Sequence, residues 1–197
     1  MQVWARRQAA TVWAAMGLLA VGCGTGDASG PGLTPTAVTV APPSTTQAGT
    51  AAEQAAMTAA ITRYLVVYDS VYNNPRENLA IVDTVAAGEE AASLRDQAAQ
   101  VTQQGLVSTG QTTLVRLTVN SVSPSPVAGG PITANVTTCN DVSHTTAVDP
   151  SGKSVVDPNR LPQTKTTFQL QNLTPADPAG WRVIQGRSGP TIPCDPS

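Results

Sequence analysis

The sequence predicts an α+β domain over residues 51–197, with N-terminal helices packed on a curved antiparallel sheet. Three observations lead there. Apolar side chains recur at helical spacing as far as Gly105; beyond it they alternate with polar ones; and clusters of Pro and Gly divide that second half into short strands. Helices gathered ahead of the strands pack together on one sheet face. A stretch of about 147 residues is a normal size for one domain.

The first helix is expected over 52–73. Ala56, Ala60, Tyr64, Tyr68 and Tyr72 repeat every four residues, and Ile61 and Leu65 widen the stripe, so one face is buried. Asn74-Pro75-Arg76-Glu77 reads as a second helix start, with Asn as cap and Pro at the first helical position. That helix would run over 75–87, contribute Leu79, Ile81, Val82 and Val85, and end at Gly88. A third, over 89–104, opens with Glu89-Glu90, which complement a helix N-terminus, and stops at Gly105.

In the strands, Val115, Leu117 and Val119 alternate with Arg116, Thr118 and Asn120, and Ile132, Ala134 and Val136 with Thr133, Asn135 and Thr137. Phe168 and Leu170, then Trp181 and Val183, continue the pattern of strands with one buried face. Turns are expected at 124–126, 129–131, 149–152 and 177–180, with residues 145–157 forming a hairpin tip between Val148 and Val155.

Upstream of the domain, Arg6 and Arg7 precede an uncharged apolar run from Ala9 to Gly22. A basic start, a short apolar stretch and a small-residue exit mark residues 1–22 as a signal peptide. The exit Leu19-Ala20-Val21-Gly22-Cys23 resembles the lipobox of bacterial lipoproteins, although Ala20 stands where Leu is usual. That resemblance implies acylation at Cys23 and attachment to the extracytoplasmic face of the cell membrane; the alternative is an ordinary secretory signal with a chance cysteine. Residues 23–50, rich in Gly, Pro, Ser and Thr, bury too little apolar area to fold, and as a coiled tether they reach roughly 30 Å.

With Cys23 lipidated, two of the three cysteines remain, Cys139 and Cys194. An even remainder suits a disulfide in an oxidising compartment; the alternative is two separate buried thiols. Two cysteines and one histidine at wide spacing are a poor zinc set, and no Asp-rich loop offers the oxygens that calcium needs, Asp141 and Asp157 notwithstanding. The formal charge of −2 becomes about −4 once Arg6 and Arg7 are removed, which argues against nucleic acid as a partner. No cofactor is expected.

Val136-Thr137-Thr138-Cys139-Asn140-Asp141, Asp149-Pro150-Ser151-Gly152-Lys153, Gly180-Trp181-Arg182-Val183 and Cys194 together carry a wider likeness over about residues 52–195. In these and in element order the chain resembles actinobacterial lipoproteins with a cystatin-like domain of the nuclear transport factor two-like superfamily. The resemblance implies a cone between helices and sheet. Superfamily members often insert an early strand between the helices, which is not expected here. Some hold a small apolar molecule in the cone, and several are isomerases or dehydratases. Tyr64, Tyr68, Phe168 and Trp181 are the residues expected to line such a pocket. Chemistry there would need a carboxylate or histidine beside a donor. His144, with Ser143 adjacent and Asp141 three residues before it, does not converge with either on a strand. Asp69 and Asp83 are the nearest candidate bases to the tyrosines, but Asp69 turns about 100° from Tyr68.

The reading is therefore a non-catalytic envelope lipoprotein that binds a partner protein or a small apolar ligand. A small isomerase- or dehydratase-like enzyme and a scaffold subunit of an envelope secretion or conjugation complex are the alternatives. The anchor is directly testable. Cys23→Ser is expected to move the protein from the membrane pellet to the soluble fraction and to abolish incorporation of radiolabelled palmitate; a variant still in the pellet refutes the lipid anchor.

Overall fold

A computed structural model describes residues 50–125, 127–188 and 194. The first helix, α1 (Ala51–Asn73), is started by a capping box that brackets its first turn: the Glu53 N–H donates to Thr50 Oγ1 at 3.2 Å, and the Thr50 N–H donates to the Glu53 carboxylate at 2.7 Å. Its buried face runs through Met57, Ile61, Tyr64, Leu65 and Val71. The next long helix, α2 (Gly88–Gln104), buries Glu90, Ala91, Leu94, Ala98 and Val101, and ends where Gly105 adopts a left-handed conformation at φ 63°.

Between them the expected helix over 75–87 does not form. Asn74 caps the end of α1 through its N–H to the Ser70 carbonyl, and only Leu79–Thr84 wind into a short 3₁₀ helix. Gly88 correspondingly opens α2 instead of ending a helix before it. The cause lies downstream. Val85 and Ala87 spend their backbone groups on the sheet, the Ala87 N–H donating to the Val183 carbonyl and the Val183 N–H to the Val85 carbonyl, both at 2.9 Å. Ala86 and Val183 thus form a one-residue parallel bridge, a vestigial strand between the helices where none was expected.

The strands are β1 (Val107–Thr109), β2 (Thr113–Ser123), β3 (Ile132–Asp141), β4 (Thr146–Val148), β5 (Gln163–Asn172) and β6 (Trp181–Ser188). Four of them make an antiparallel sheet in the order β2-β3-β5-β6, while β1 and β4 pair separately as a two-stranded ribbon. The helices pack on the inner face of the sheet against Val122, Ala134, Val136, Phe168, Leu170, Trp181 and Val183. The architecture is α+β, as the alternation in the sequence predicts.

Register corrects one residue. Two bulges interrupt β2, between Leu114 and Arg116 and between Val119 and Ser121. Each inserts a residue and bends the strand. Val115, expected on the buried face, is the inserted residue of the first bulge and is 53 % exposed, and Leu114 takes its inward place opposite Asn140. A third irregularity, between Gln169 and Leu170 opposite β6, brings Gly186 opposite Phe168. The hairpin tip at 149–152 forms as expected: Asp149 Oδ1 accepts from the Ser151 and Lys153 N–H groups, and the Val155 N–H returns to the Ala147 carbonyl at 3.0 Å. Its strand β4 joins the ribbon, not the main sheet.

Cys139 and Cys194 form a disulfide, with Cα atoms 5.6 Å apart and a sequence separation of 55. In β3 the even-numbered residues face the helices, so Cys139 points from the opposite, helix-free face and Cys194 is secured there. A crosslink closing such a loop removes unfolded-state entropy equivalent to roughly 4 kcal/mol in the chain-entropy model. Replacing both cysteines by alanine is expected to lower the unfolding free energy in urea by about that amount; a loss below about 1 kcal/mol would mean that the bond constrains little.

Candidate functional site

The interior of the helix–sheet cone holds a carboxylate that sequence reasoning did not find. Glu90 lies in the first turn of α2 with its side chain directed into the core. The Tyr64 hydroxyl donates to Glu90 Oε1 in a short hydrogen bond, and the Gly186 N–H donates to Oε2 at 2.6 Å. A Cβ at Gly186 would stand 3.0 Å from Oε2 and 3.1 Å from the Phe168 ring, so glycine is what admits the carboxylate. A signal existed in the sequence: Glu90 shares the four-residue repeat of Leu94 and Ala98 and belongs to the buried stripe of its helix. Neighbouring Glu89, by contrast, is exposed and accepts from Gln185 Nε2 at 3.0 Å.

A carboxylate facing a tyrosine hydroxyl is the pairing that an acid–base enzyme would need. Here the pair is closed on itself, since Tyr64 is 1 % and Glu90 7 % exposed and both carboxylate oxygens are occupied. Tyr64 packs edge-on against Phe168 at a centroid distance of 5.4 Å. Tyr64, Phe168 and Trp181, three of the four residues expected to line a pocket, are filled core and do not line the cleft described next.

The fourth, Tyr68, does. A cleft of about 120 Å³ opens between the C-terminal half of α1, the β1–β4 ribbon and the loop after the hairpin; Tyr68, Asp69, Tyr72, Gly110, Val156 and Arg160 are among its walls. Tyr68 and Tyr72 lie 4.6 Å apart between ring centroids. The Tyr72 hydroxyl donates to Gln97 Oε1. Asp69, turned away from Tyr68 as its position on the helix requires, accepts from the Thr112 N–H at 2.6 Å and from Thr112 Oγ1 at 2.9 Å. Burial raises its pKa, with the two Thr112 bonds opposing. Gly110 has φ 96°, and a Cβ there would fall 1.9 Å from the His144 carbonyl oxygen, so two loops meet backbone to backbone at the cleft.

Arg160 was not singled out by the sequence and carries no periodic signal. Its guanidinium donates to the Val142 carbonyl at 2.7 Å, the Thr145 carbonyl at 2.9 Å and Thr145 Oγ1 at 2.9 Å. None of these acceptors is charged.

The remaining candidates stay apart. His144 and Ser143 are exposed in the turn after β3, where the Asp141 carboxylate accepts the Ser143 N–H at 2.9 Å; hydrogen bonds from Ser143 hold Asp141 below its usual pKa. Asp157 accepts from the Asn159 N–H at 2.8 Å, and Asp83 pairs with Arg95 at 2.6 Å on the surface. Among the described residues no group of three or more His, Cys, Asp or Glu is placed to hold a metal ion, and no helix is long and apolar enough to cross a membrane. Cys23 lies outside the described residues.

No family model matches the chain, and no curated protein does. Among solved structures it is distantly similar to the intermembrane space region of the chloroplast protein ARC6, at 20 % identity and TM-score 0.48 over 68 % of this chain and 95 % of that one. A periplasmic fragment of TraM gives 15 % and 0.38 over 69 % and 98 %. A de novo β-sheet design gives 16 % and 0.30 over 69 % and 92 %.

The tyrosines supply a test of the site as described. The chain has three, and burial raises all of them: Tyr64 and Tyr68 well above the usual value near 10, Tyr72 to about 12. In the unfolded chain they ionise near pH 10. The native state then holds more protons, and stability falls as pH rises past that point. Absorbance at 295 nm is expected to stay flat through pH 10.5 and to rise only with unfolding followed by circular dichroism; a phenolate appearing near pH 10 in folded protein would place a hydroxyl in water.

Proposed function

We propose that this chain is a non-catalytic extracytoplasmic domain, held at the cell membrane through a lipid on Cys23, that acts by binding. The closed Glu90–Tyr64 pair carries this reading. Among the described residues, the interior carboxylate with a phenol beside it joins α1, α2 and β6, each of its oxygens accepting a hydrogen bond from the protein itself. The cone is filled by Met57, Leu65, Tyr64, Phe168 and Leu170, each no more than 1 % exposed, which favours binding at the periphery over a ligand within the cone. The actinobacterial likeness of the sequence, the lipobox and the disulfide support an envelope location.

Carbodiimide coupling of an amine nucleophile to carboxylates separates binding from catalysis, because Glu89 is an internal control one residue away. In folded protein Glu89 is expected to be modified and Glu90 protected, with both reacting after denaturation. Modification of Glu90 at a rate similar to that of Glu89 would open the cone to solvent and favour the isomerase- or dehydratase-like enzyme instead.

A further inference from the structure

We infer that the cleft beside Tyr68 and Tyr72 is a binding site for a small monoanion with a compact apolar body, a carboxylate of aromatic or short branched-chain type. This rests on the binding-domain reading and names its ligand class. Size comes first: an apolar cavity of roughly 150 Å³ takes up benzene, and this cleft, at about 120 Å³, is close to that scale. Its walls suit a flat or branched apolar body, with the stacked Tyr68 and Tyr72 rings on one side and Val142, Ala147 and Val156 on the other.

Charge decides the rest. Arg160 stands in the wall, half-buried, held by three neutral acceptors and forming no ion pair with any described carboxylate. Three of the five guanidinium N–H donors are used, one on Nη1 and both on Nη2, which leaves the Nε–H and one Nη1–H on different edges, so an anion would meet one of them. The cleft's own carboxylate, Asp69, forms no ion pair with Arg160 and is turned instead to the Thr112 N–H and Oγ1. A guanidinium already fixed by its neighbours gives up little side-chain freedom when it meets a carboxylate. The site is also preformed, since the Gly110–His144 contact locks the two loops that frame it.

Fluorine NMR tests this on the full chain purified in detergent, against a detergent blank. The probes are 4-fluorobenzoate and its neutral isostere 4-fluorobenzamide. The acid is expected to bind about tenfold tighter than the amide. Arg160→Gln should bring the two within about twofold, whereas Arg187→Gln, an exposed cation on β6, should leave the ratio unchanged. Ala147→Phe, which fills the cleft and keeps Arg160, should abolish binding of both. Equal affinities in the parent chain, no binding of either probe, or a preference that survives Arg160→Gln would overturn the inference. If Arg160→Gln does not fold, the acid–amide ratio of the parent chain and the loss in Ala147→Phe decide it. Protection of Glu90 is read separately, so failure of the ligand class and failure of the binding-domain reading are distinguishable.

Discussion

Two carboxylates carried by helices accept backbone N–H groups at the two sides of the four-stranded sheet, and the rest of the arrangement depends on them. Glu90 of α2 takes the N–H of Gly186 on the edge strand β6, and Asp69 of α1 takes that of Thr112, immediately before the edge strand β2. Burying a carboxylate costs several kcal/mol in lost hydration, and only hydrogen bonds of good geometry offset it. Each carboxylate here has two, from one backbone donor and one hydroxyl. Removing a partner would leave the other groups buried and unsatisfied, the costly side of the hydrogen-bond ledger. The same bonds blunt the sheet edge at β6, where Gly186 and Val183 spend their outward groups on Glu90 and on the segment Val85–Ala87.

The interior thus holds residue types that acid–base chemistry uses, and they are bonded to one another across the layers. The tyrosine ladder of α1 and the carboxylate of α2 meet, but in a joint between layers. Some of the polar residues elsewhere on the inner face bond to one another or to backbone. Thr138, Asn140, Thr164 and Thr166 are buried toward the Asp141 end of β3 and β5, with Asn140 Nδ2 donating to Thr166 Oγ1 at 3.3 Å. Asn140 Oδ1 is buried without a protein partner.

Much of the fold was legible because it rests on local period. The 3.6-residue stripe of α1, the Gly105 stop of α2 and the alternation in β3, β5 and β6 all come from neighbours in sequence. What was not legible depended on distant partners. Asn74-Pro75 reads as a helix start, yet Val85–Ala87 form bonds to β6 some hundred residues later, and that tertiary pairing outweighs local propensity. Val115 alternates correctly and still faces solvent, because a bulge shifts the phase, and no residue type announced it. At the site, parity of the cysteines led to Cys139 and Cys194, and the tyrosine repeat led to Tyr68. Glu90 was missed because a carboxylate in a first helical turn has a ready electrostatic explanation at the surface. Arg160, Gly110 and Thr112 belong to loops, where function often sits and periodicity says nothing.

Charge follows the same division. Every charged residue of the four long strands, Arg116, Asp141, Lys165, Arg182 and Arg187, stands on the helix-free face, as the register requires. The inner face carries none of its own and receives its carboxylates only from the helices. A strand can present a charge inward only by finding it a partner across a filled core, whereas a helix terminus enters from the side and brings its carboxylate to an edge N–H already in need of an acceptor. Edge strands have such groups and central strands do not, which is why Glu90 and Asp69 are found at the sheet's two flanks. The cleft inherits its form from that constraint: Asp69 is held to the start of β2, Asn73 Nδ2 donates to the Gly110 carbonyl at 3.1 Å, and Gly110 lies against His144. The end of α1 is thereby fixed to both loops, and the space left beside the tyrosines is bounded by backbone on one side and a pinned guanidinium on the other.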